Sequence, residues 1–210
     1  MKMRCASFFA GVGGIDIAFE QAGFEIVYAN ELDKFAVETF KANHKTFIDH
    51  RSITDVQAKD IPDFDIMLAG FPCQAFSVAG YRKGFEDKGR GDLYFELERI
   101  FIEKKPKVIF LENVKNLVSH DHGRTFEIIK KSLMDNGYHI KHQVLNASEY
   151  GNIPQNRERI YVVCFQDEQA MKKFQFPEKI ELTTTLQDML EDENTIDKKY
   201  FYTEKTPFIS

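Results

Sequence analysis

The stretch RCASFFAGVGGIDIAFEQAG, residues 4–23, predicts how the fold of this protein begins. Residues 4–9 form a short apolar run that is typical of a buried β-strand, and residues 14–21 have the spacing of a helix. Glycines 11, 13 and 14 join the two runs, and Gly23 follows the helix as a C-terminal stop. This order of strand, glycine turn and helix is typical of the first unit of an α/β fold.

The rest of the chain repeats the alternation of strands and helices. Apolar runs predict strands over residues 25–29, 64–69, 107–111, 138–145 and 160–165, and helical spacing predicts helices over residues 33–43, 92–104 and 124–135. Strands separated by helices predict a doubly wound, mostly parallel sheet with helices on both faces. In such folds ligands bind at the carboxyl ends of the strands, where the motifs described below lie.

The pattern weakens after Pro177, so we expect a domain over residues 1–180 and a C-terminal tail over residues 181–210. Three threonines at positions 183–185 can cap a short helix that reaches Leu190.

Composition is that of a globular protein, with 43% apolar and 29% charged residues. No apolar run is long enough to span a membrane, and the N-terminus does not resemble a signal peptide. The three cysteines show no paired spacing, which disfavours a disulfide framework and a zinc site and suits a reducing cytosol. We therefore expect a cytoplasmic protein without a metal. The net charge of −5 disfavours a protein that holds nucleic acid unaided.

The glycine turn and an acidic residue after the second strand predict a nucleoside-cofactor site. Glycines allow a ligand to approach the backbone at a helix N-terminus. Glu31 lies at the end of the second strand, where a carboxylate suits the two hydroxyls of a ribose. The alternative is a turn that simply needs small residues. Because the turn is not GxGxxG, a dinucleotide and an NAD-dependent oxidoreductase are the least favoured interpretations.

The stretch GFPCQAF, residues 70–76, presents a cysteine outside regular structure. Pro72 restricts the backbone directly before Cys73, which favours a reactive thiol over a buried inert one. Glu112 closes the next strand, and Arg157 and Arg159 lead into the last strand, so a carboxylate and two guanidinium groups are predicted at the same sheet edge. Residues 77–92 contain four glycines and no periodicity, which favours a mobile functional loop over a disordered surface insertion.

FAGVGG, GFPCQAFS, LENV and QNRERIYVV, in this order and spacing, resemble motifs I, IV, VI and VIII of the C5-cytosine DNA methyltransferases. The resemblance extends over residues 4–177, and the segment around Cys73 is similar to the active-site loop of the bacterial restriction–modification enzymes. It implies a Rossmann-like fold of the S-adenosylmethionine-dependent methyltransferase type. It also implies S-adenosylmethionine as methyl donor and double-stranded DNA as substrate, with the target cytosine flipped out of the duplex.

The resemblance also implies a role for each catalytic residue. Cys73 corresponds to the nucleophile that adds to C6 of cytosine, which makes C5 electron-rich. Glu112 corresponds to the carboxyl group that contacts N3 and the exocyclic amine. Arg159 is expected to hold O2 of the base, and Arg157 to support the loop geometry.

On the cofactor side, the resemblance places the Phe9 ring on the adenine, Gly11 and Gly13 beside the methionine part, and Glu31 on the ribose. The full expected cofactor set is Phe9, Ala10, Gly11, Gly13, Gly14, Glu31, Leu32, Ile53, Pro72 and Leu93. The expected DNA-contacting set is Gln74, Ser77, Arg82, Lys83, Lys88 and Arg90. Two positions depart from the family pattern: Ser7 replaces an Asp that precedes the glycine turn, and Ser52 replaces the Asp that reads the adenine amine.

Members of this family continue into a target-recognition region and a ninth and tenth motif, which residues 1–210 do not contain. We expect a second polypeptide to supply them. A partner that makes the phosphate contacts would also explain why this chain has an acidic net charge. The alternatives are a frameshifted product and a protein cut at the domain boundary.

A tRNA cytosine-5 methyltransferase is a competing interpretation, disfavoured because Phe71 stands where that family usually has proline. A catalytically inactive DNA-binding or regulatory subunit is disfavoured because Cys73, Glu112, Arg157 and Arg159 are all present.

Overall fold

The computed structural model describes residues 2–72 and 93–201. The strands are β1 Arg4–Phe8, β2 Glu25–Asn30, β3 Ile48–Asp49, β4 Ile66–Ala69, β5 Val108–Val114, β6 His139–Asn146 and β7 Glu158–Phe165. The helices are α1 Gly14–Gln21, α2 Lys34–Asn43, α3 Leu93–Lys104, α4 Arg124–Asp135, α5 Ala147–Tyr150 and α6 Glu168–Lys173. Two compact units result, Met1–Leu145 with Glu158–Pro177 and Asn146–Arg157 with Glu178–Ser210.

In the described part of the chain, seven strands form one sheet in the order β3-β2-β1-β4-β5-β7-β6. β1 runs parallel to both β2 and β4, β4 runs parallel to β5, and β7 is antiparallel to β5. The predicted doubly wound, mostly parallel sheet is therefore confirmed. The strand order reverses between β1 and β4, and the carboxyl ends of strands beside such a switch point form a crevice for ligands.

Both faces of the sheet are covered, as the alternation of side chains along β1 shows. Ala6 and Phe8 belong to a large apolar cluster with α3 and α4, whereas Cys5 packs in a second cluster against which residues of α1 lie. A third cluster joins Ala29 of β2 to α2. Cys5 and Cys164 are fully buried, and burial raises the pKa of the Cys5 thiol to about 12. These two thiols are core residues, as expected.

The structure adds short elements that the sequence patterns did not predict. They include the two-residue strand β3, the short helices α5 and α6 and several 3-10 turns. The short helix predicted to reach Leu190 is confirmed only in part: a single 3-10 turn forms at Gln187–Met189, where the Asp188 N–H donates to the Thr185 hydroxyl at 3.4 Å. Leu186, Met189 and Leu190 are all at least half exposed, so no apolar face stabilises a longer helix there.

Within residues 2–72 and 93–201, no helix has the length and hydropathy needed to cross a bilayer. Over the same residues, no group of three or more His, Cys, Asp or Glu side chains is arranged to hold a metal ion.

Candidate active site

The turn between β1 and α1 has an unusual backbone conformation. Phe9, Gly11 and Gly13 have φ angles of 54°, 57° and 91°, which lie in the left-handed region that disfavours side chains. The Ala10 N–H donates to the Asn30 carbonyl at 3.1 Å, and the Gly13 N–H donates to the Ala10 carbonyl at 2.9 Å. The end of β2 thus holds the turn in a shape that the turn would not adopt alone.

Glu31 binds this turn through its carboxylate. Its Oε2 accepts the Gly11 N–H at 2.8 Å, and its Oε1 accepts the N–H groups of Leu32 and Asp33 at 2.8 Å each. These three bonds fix the orientation of the carboxylate, and a carboxylate has about four lone-pair sites. One acceptor site therefore remains for a hydroxyl group.

A cavity of about 420 Å³ opens at the carboxyl ends of β1 and β2. Its volume is in the range of small-molecule sites. The lining residues are Phe9, Asn30, Glu31, Leu32, Asp33, Lys34, Ser52, Ile53, Pro72 and Leu93. Six of the expected cofactor residues are therefore brought together: Phe9, Glu31, Leu32, Ile53, Pro72 and Leu93. The other four, Ala10, Gly11, Gly13 and Gly14, form the adjoining turn and the start of α1 rather than the lining.

Four lining residues were not predicted as cofactor contacts: Asn30, Asp33, Lys34 and Ser52. Asn30 and Asp33 flank Glu31, and their position at the end of a parallel strand could have indicated them. Ser52 lies at the position where an Asp was expected, and its hydroxyl group lies 2.8 Å from that of Thr54. The cavity thus offers the Ser52 hydroxyl group where the family pattern places a carboxylate.

A hydrogen-bond network behind the cavity, buried at Tyr28, Asn30 and Asp49 and exposed at Arg51, sets the position of Ser52 and Ile53. The Asn30 amide donates to the Asp49 and Arg51 carbonyls at 3.0 and 2.9 Å. The Tyr28 hydroxyl donates to the Asp49 carboxylate at 2.9 Å, and Arg51 donates to it through both Nε and Nη2. Hydrogen bonds from Arg51 hold the pKa of Asp49 below its ordinary value. Sequence reasoning missed this network because β3 is too short to show a pattern.

Glu112 and Arg159 meet on the same face of the sheet. The antiparallel register of β5 and β7 sets Val114 opposite Arg159, and Glu112 is two residues away on the same side of β5. The Arg159 Nε lies 3.1 Å from Glu112 Oε1, and the side chains are 21% and 20% exposed. Because β7 runs opposite to β5, its first residues reach the edge at which the parallel strands end.

The segment that leads to Cys73 is attached to β5 near this pair. Asn113 is 4% exposed and donates its amide to the Phe71 carbonyl at 2.9 Å. A Cβ atom at Gly70 would lie 3.5 Å from Glu112 Oε2, so the backbone before Cys73 passes close to the carboxylate. Asn113 was not predicted as a site residue, although its place beside Glu112 at the end of β5 indicates it.

The structure does not bring the remaining predicted residues into this description of the site. Cys73 and the expected DNA contacts Gln74, Ser77, Arg82, Lys83, Lys88 and Arg90 lie outside the described residues. Arg157 belongs to the second compact unit, where its N–H donates to Asn146 Oδ1 and its carbonyl accepts the Ala147 N–H, both at 3.0 Å.

A larger depression of about 510 Å³ lies around the start of α4, lined by Val118, His122, Gly123, Arg124, Phe126, Glu127, Ile128, Lys130 and His142. None of the predicted site residues in the described part of the chain lines it. We therefore place the candidate site at the switch point, where the cavity and the Glu112–Arg159 pair lie, and not at the larger depression.

The mostly parallel sheet of order β3-β2-β1-β4-β5-β7-β6, with β7 antiparallel to β5, and the glycine turn after β1 agree with the expected class of fold, that of the S-adenosylmethionine-dependent methyltransferases. The chain belongs to the C-5 cytosine-specific DNA methylase family, whose family model matches residues 3–209. This confirms the resemblance drawn from the four motifs.

Two relatives illustrate the similarity. The Type II methyltransferase M.Bsp6I of Bacillus sp. (strain RFL6) is 56% identical over 96% of this chain and 64% of its own length. The Type II methyltransferase M.HhaI of Haemophilus parahaemolyticus is 50% identical over 90% of this chain and 57% of its own length. The chain thus spans less than two thirds of the length of these relatives.

Solved structures share the fold. The structure of a mutant DNMT2 from Spodoptera frugiperda superposes with a TM-score of 0.74 at 21% identity, covering 94% of this chain and 62% of that one.

Proposed function

We propose that this chain is the cofactor-binding, catalytic part of a DNA (cytosine-5-)-methyltransferase of a restriction–modification system. It would transfer a methyl group from S-adenosylmethionine to C5 of a flipped cytosine in double-stranded DNA, in the cytoplasm. The observation that carries this proposal is the Glu112–Arg159 pair, 3.1 Å apart. It lies beside the backbone of residues 70–72, which leads directly to Cys73.

The cavity at the switch point fits the proposed cofactor. Phe9, Ile53 and Leu93 offer apolar surface for an adenine ring, and the Glu31 carboxylate keeps an acceptor site for a ribose hydroxyl. When bound, S-adenosylmethionine supplies an electrophilic methyl group.

Cys73 is the proposed nucleophile. Its thiolate adds to C6 of the cytosine, and the electron pair of the C5–C6 double bond becomes available at C5 as N3 accepts a proton from Glu112. C5 would then take the methyl group of the donor, whose sulfur keeps the electron pair of the broken sulfur–methyl bond and leaves as the neutral thioether. The C5 proton would pass to solvent, and its electron pair would re-form the C5–C6 double bond. The C6–sulfur bond breaks, Cys73 leaves as a thiolate, and the N3 proton returns to Glu112.

Arg159 orients Glu112 and would hold O2 of the base. Its Nε contacts Glu112 Oε1, and its Nη1 donates to the Glu158 carbonyl at 2.9 Å. A guanidinium group has five N–H donors. Arg159 can therefore make both contacts and still donate to the base. Arg157 is proposed to support the loop that precedes β7.

The test is methyl transfer from radiolabelled S-adenosylmethionine to DNA, together with trapping on a duplex that contains 5-fluorocytosine. We expect Cys73→Ser to abolish transfer and trapping, and Glu112→Gln to reduce transfer by about 100-fold or more, since general acid catalysis contributes factors of that size. Cys164→Ala is the matched control, because that thiol is buried in the core. Undiminished turnover by Cys73→Ser would overturn the proposed mechanism. Methylation of tRNA instead of DNA would overturn the proposal that DNA is the substrate.

A second polypeptide with the target-recognition region and the ninth and tenth motifs is part of the proposal. The relatives M.Bsp6I and M.HhaI extend beyond the matched region, which covers 64% and 57% of their lengths. Around the cofactor cavity, Val12, Leu32 and Phe35 are 52%, 62% and 73% exposed, an apolar surface suited to a covering segment. The net charge of −5 also suits a partner that supplies phosphate contacts.

We expect the chain alone to bind the methyl donor weakly and to methylate DNA poorly, and the added polypeptide to restore both. Calorimetric titration and the transfer assay, each with and without that polypeptide, measure this. Robust sequence-specific methylation by the chain alone would contradict the two-chain proposal and leave the catalytic one intact.

A further inference from the structure

We infer that His44 is a positioning residue that holds the cofactor turn, residues 9–14, in its binding shape. The inference rests on the proposed function in one respect, namely that this turn serves the cofactor. His44 lies at the C-terminal cap of α2 and does not line the cavity. Its effect on the cofactor would therefore pass through the turn.

The His44 ring contacts the turn directly. The side chain is 1% exposed, and its Nε2 lies 3.3 Å from the Val12 carbonyl oxygen. The α1 ladder begins one residue later, where the Gly13 carbonyl accepts the Ile17 N–H at 2.9 Å. The Val12 carbonyl thus lies outside that helical ladder, and a ring N–H of His44 is positioned to donate to it.

The orientation of the ring is set by its other neighbours. It stacks on the buried Phe40 ring with a centroid distance of 4.1 Å and an interplanar angle of 17°. Its Nδ1 lies 3.8 Å from Glu20 Oε2 on α1. With Phe40 on one side and α1 on the other, the ring has little freedom to leave the Val12 carbonyl.

Gly13 makes room for this contact. A Cβ atom at position 13 would lie 2.1 Å from His44 Nε2, closer than any real contact, and the φ of 91° at Gly13 already disfavours a side chain. The imidazole therefore occupies the space that a side chain at position 13 would need. Three residues of the turn are in the left-handed region, so contacts from outside the turn must hold its shape. Asn30 and Glu31 each make such a contact, and His44 makes a further one.

The test compares two substitutions that each keep one property of the ring. His44→Phe keeps the stacking on Phe40 and removes the donor, whereas His44→Gln keeps an N–H donor near the position of Nε2. His139→Phe, on β6, is the control for loss of a histidine away from the turn. Three quantities are measured on the 210-residue chain: the Kd for S-adenosylhomocysteine by calorimetry, amide hydrogen exchange across residues 10–14, and the Tm.

We expect His44→Phe to weaken S-adenosylhomocysteine binding by roughly fivefold to tenfold, as loss of one hydrogen bond predicts. Exchange in the turn should rise while the Tm changes little. His44→Gln and His139→Phe should stay near the parent in both binding and exchange.

Parental binding and parental exchange in His44→Phe would overturn the inference. The inference would also be overturned if His44→Phe and His44→Gln weakened S-adenosylhomocysteine binding equally and lowered the Tm together. That result would mean that His44 has a packing role only. If the parent chain binds S-adenosylhomocysteine neither alone nor with the added polypeptide, the cofactor proposal fails, and the exchange measurement on the chain alone still decides whether His44 holds the turn.

Discussion

At the scale of single residues, the candidate site is built from polar side chains that bind backbone. Glu31 accepts three N–H groups, Asn30 donates to two carbonyls, and Asn113 donates to the Phe71 carbonyl. Each lies at the carboxyl end of a strand and fixes a loop that begins on a neighbouring strand. Buried polar groups with satisfied hydrogen bonds specify one loop geometry, since any other would leave them unpaired.

Substitution of Asn113 tests this view. Asn113→Leu removes the donor to the buried Phe71 carbonyl, so we expect the free energy of unfolding to fall by about 1–3 kcal/mol. The rate of methyl transfer should fall by more than the loss of folded protein explains, because the backbone before Cys73 loses its attachment to β5. Urea unfolding and the transfer assay measure the two effects, with the exposed Asn116→Leu as control. An Asn113→Leu protein with parental stability would contradict the assignment.

The thiols give a second test at this scale. Burial raises the pKa of Cys5 to about 12 and also raises that of Cys164, so neither forms a thiolate near neutral pH. We expect a disulfide-exchange reagent to label one thiol of the native protein rapidly and all three after unfolding. Cys73→Ser should remove the rapid reaction. Rapid labelling of Cys5 or Cys164 in the native protein would contradict their burial.

At the scale of elements, β3 shows how a very short strand is stabilised by side chains. It has only two residues, Ile48 and Asp49, and pairs with the end of β2. Ile48 packs in the cluster formed with α2, and the Asp49 carboxylate is held by Tyr28 and Arg51. The strand in turn sets the start of the segment that carries Ser52 and Ile53 into the cavity wall.

This network predicts a pH dependence of stability. Hydrogen bonds from Arg51 lower the pKa of Asp49 in the folded protein. The Asp49 carboxylate therefore binds a proton less readily in the folded state than in the unfolded state. The stabilisation is present above the unfolded pKa of about 3.9 and is lost as the pH falls through the lower folded pKa. We expect Asp49→Asn to be less stable than the parent at neutral pH, with a difference that shrinks in acid. Urea midpoints across the acid range measure it, and a constant difference would contradict the prediction.

At the scale of the whole molecule, the switch point between β1 and β4 determines where the site lies. The β1 turn contributes Phe9 to the cavity, and the segment after β4 contributes Pro72 and leads to Cys73. The large core cluster includes Phe8, Met67 and Ala69, which are fully or almost fully buried in the strands beneath. Buried strands therefore support the loops that line the candidate site, which is the usual division of roles in α/β folds.

The tail gives a prediction at this scale. In its described part, residues 181–201, most apolar side chains are exposed, including Leu186 at 64% and Tyr200 at 72%, so this part contributes little apolar burial. We propose that residues 1–180 form a domain that folds without residues 181–210. A protein that ends at residue 180 should keep its circular dichroism spectrum and unfold cooperatively, with a Tm within about 4 °C of the parent, the shift expected for 1 kcal/mol or less. Loss of cooperative unfolding would show that the tail is part of the domain.

The sequence alone determined the alternation of strands and helices, the first two helices and the positions of the main motifs. These follow from local signals: α1 and α4 begin and end where their helical spacing predicts, and Asp33 caps α2 by accepting the Ala36 N–H. It also determined the family, because the motifs around Gly11, Cys73, Glu112 and Arg159 are each contiguous in sequence.

Only the tertiary structure decided which side chains meet. His44 and Val12 are 32 residues apart, Asn113 and Phe71 are 42 apart, and Glu31 and Gly11 are 20 apart. No local pattern indicates these pairs, because each depends on sheet order and register, which arise when distant strands pair and bury their faces. The physical reason is that periodicity reports which face of an element is apolar, whereas a hydrogen bond between loops depends on where two elements come to lie.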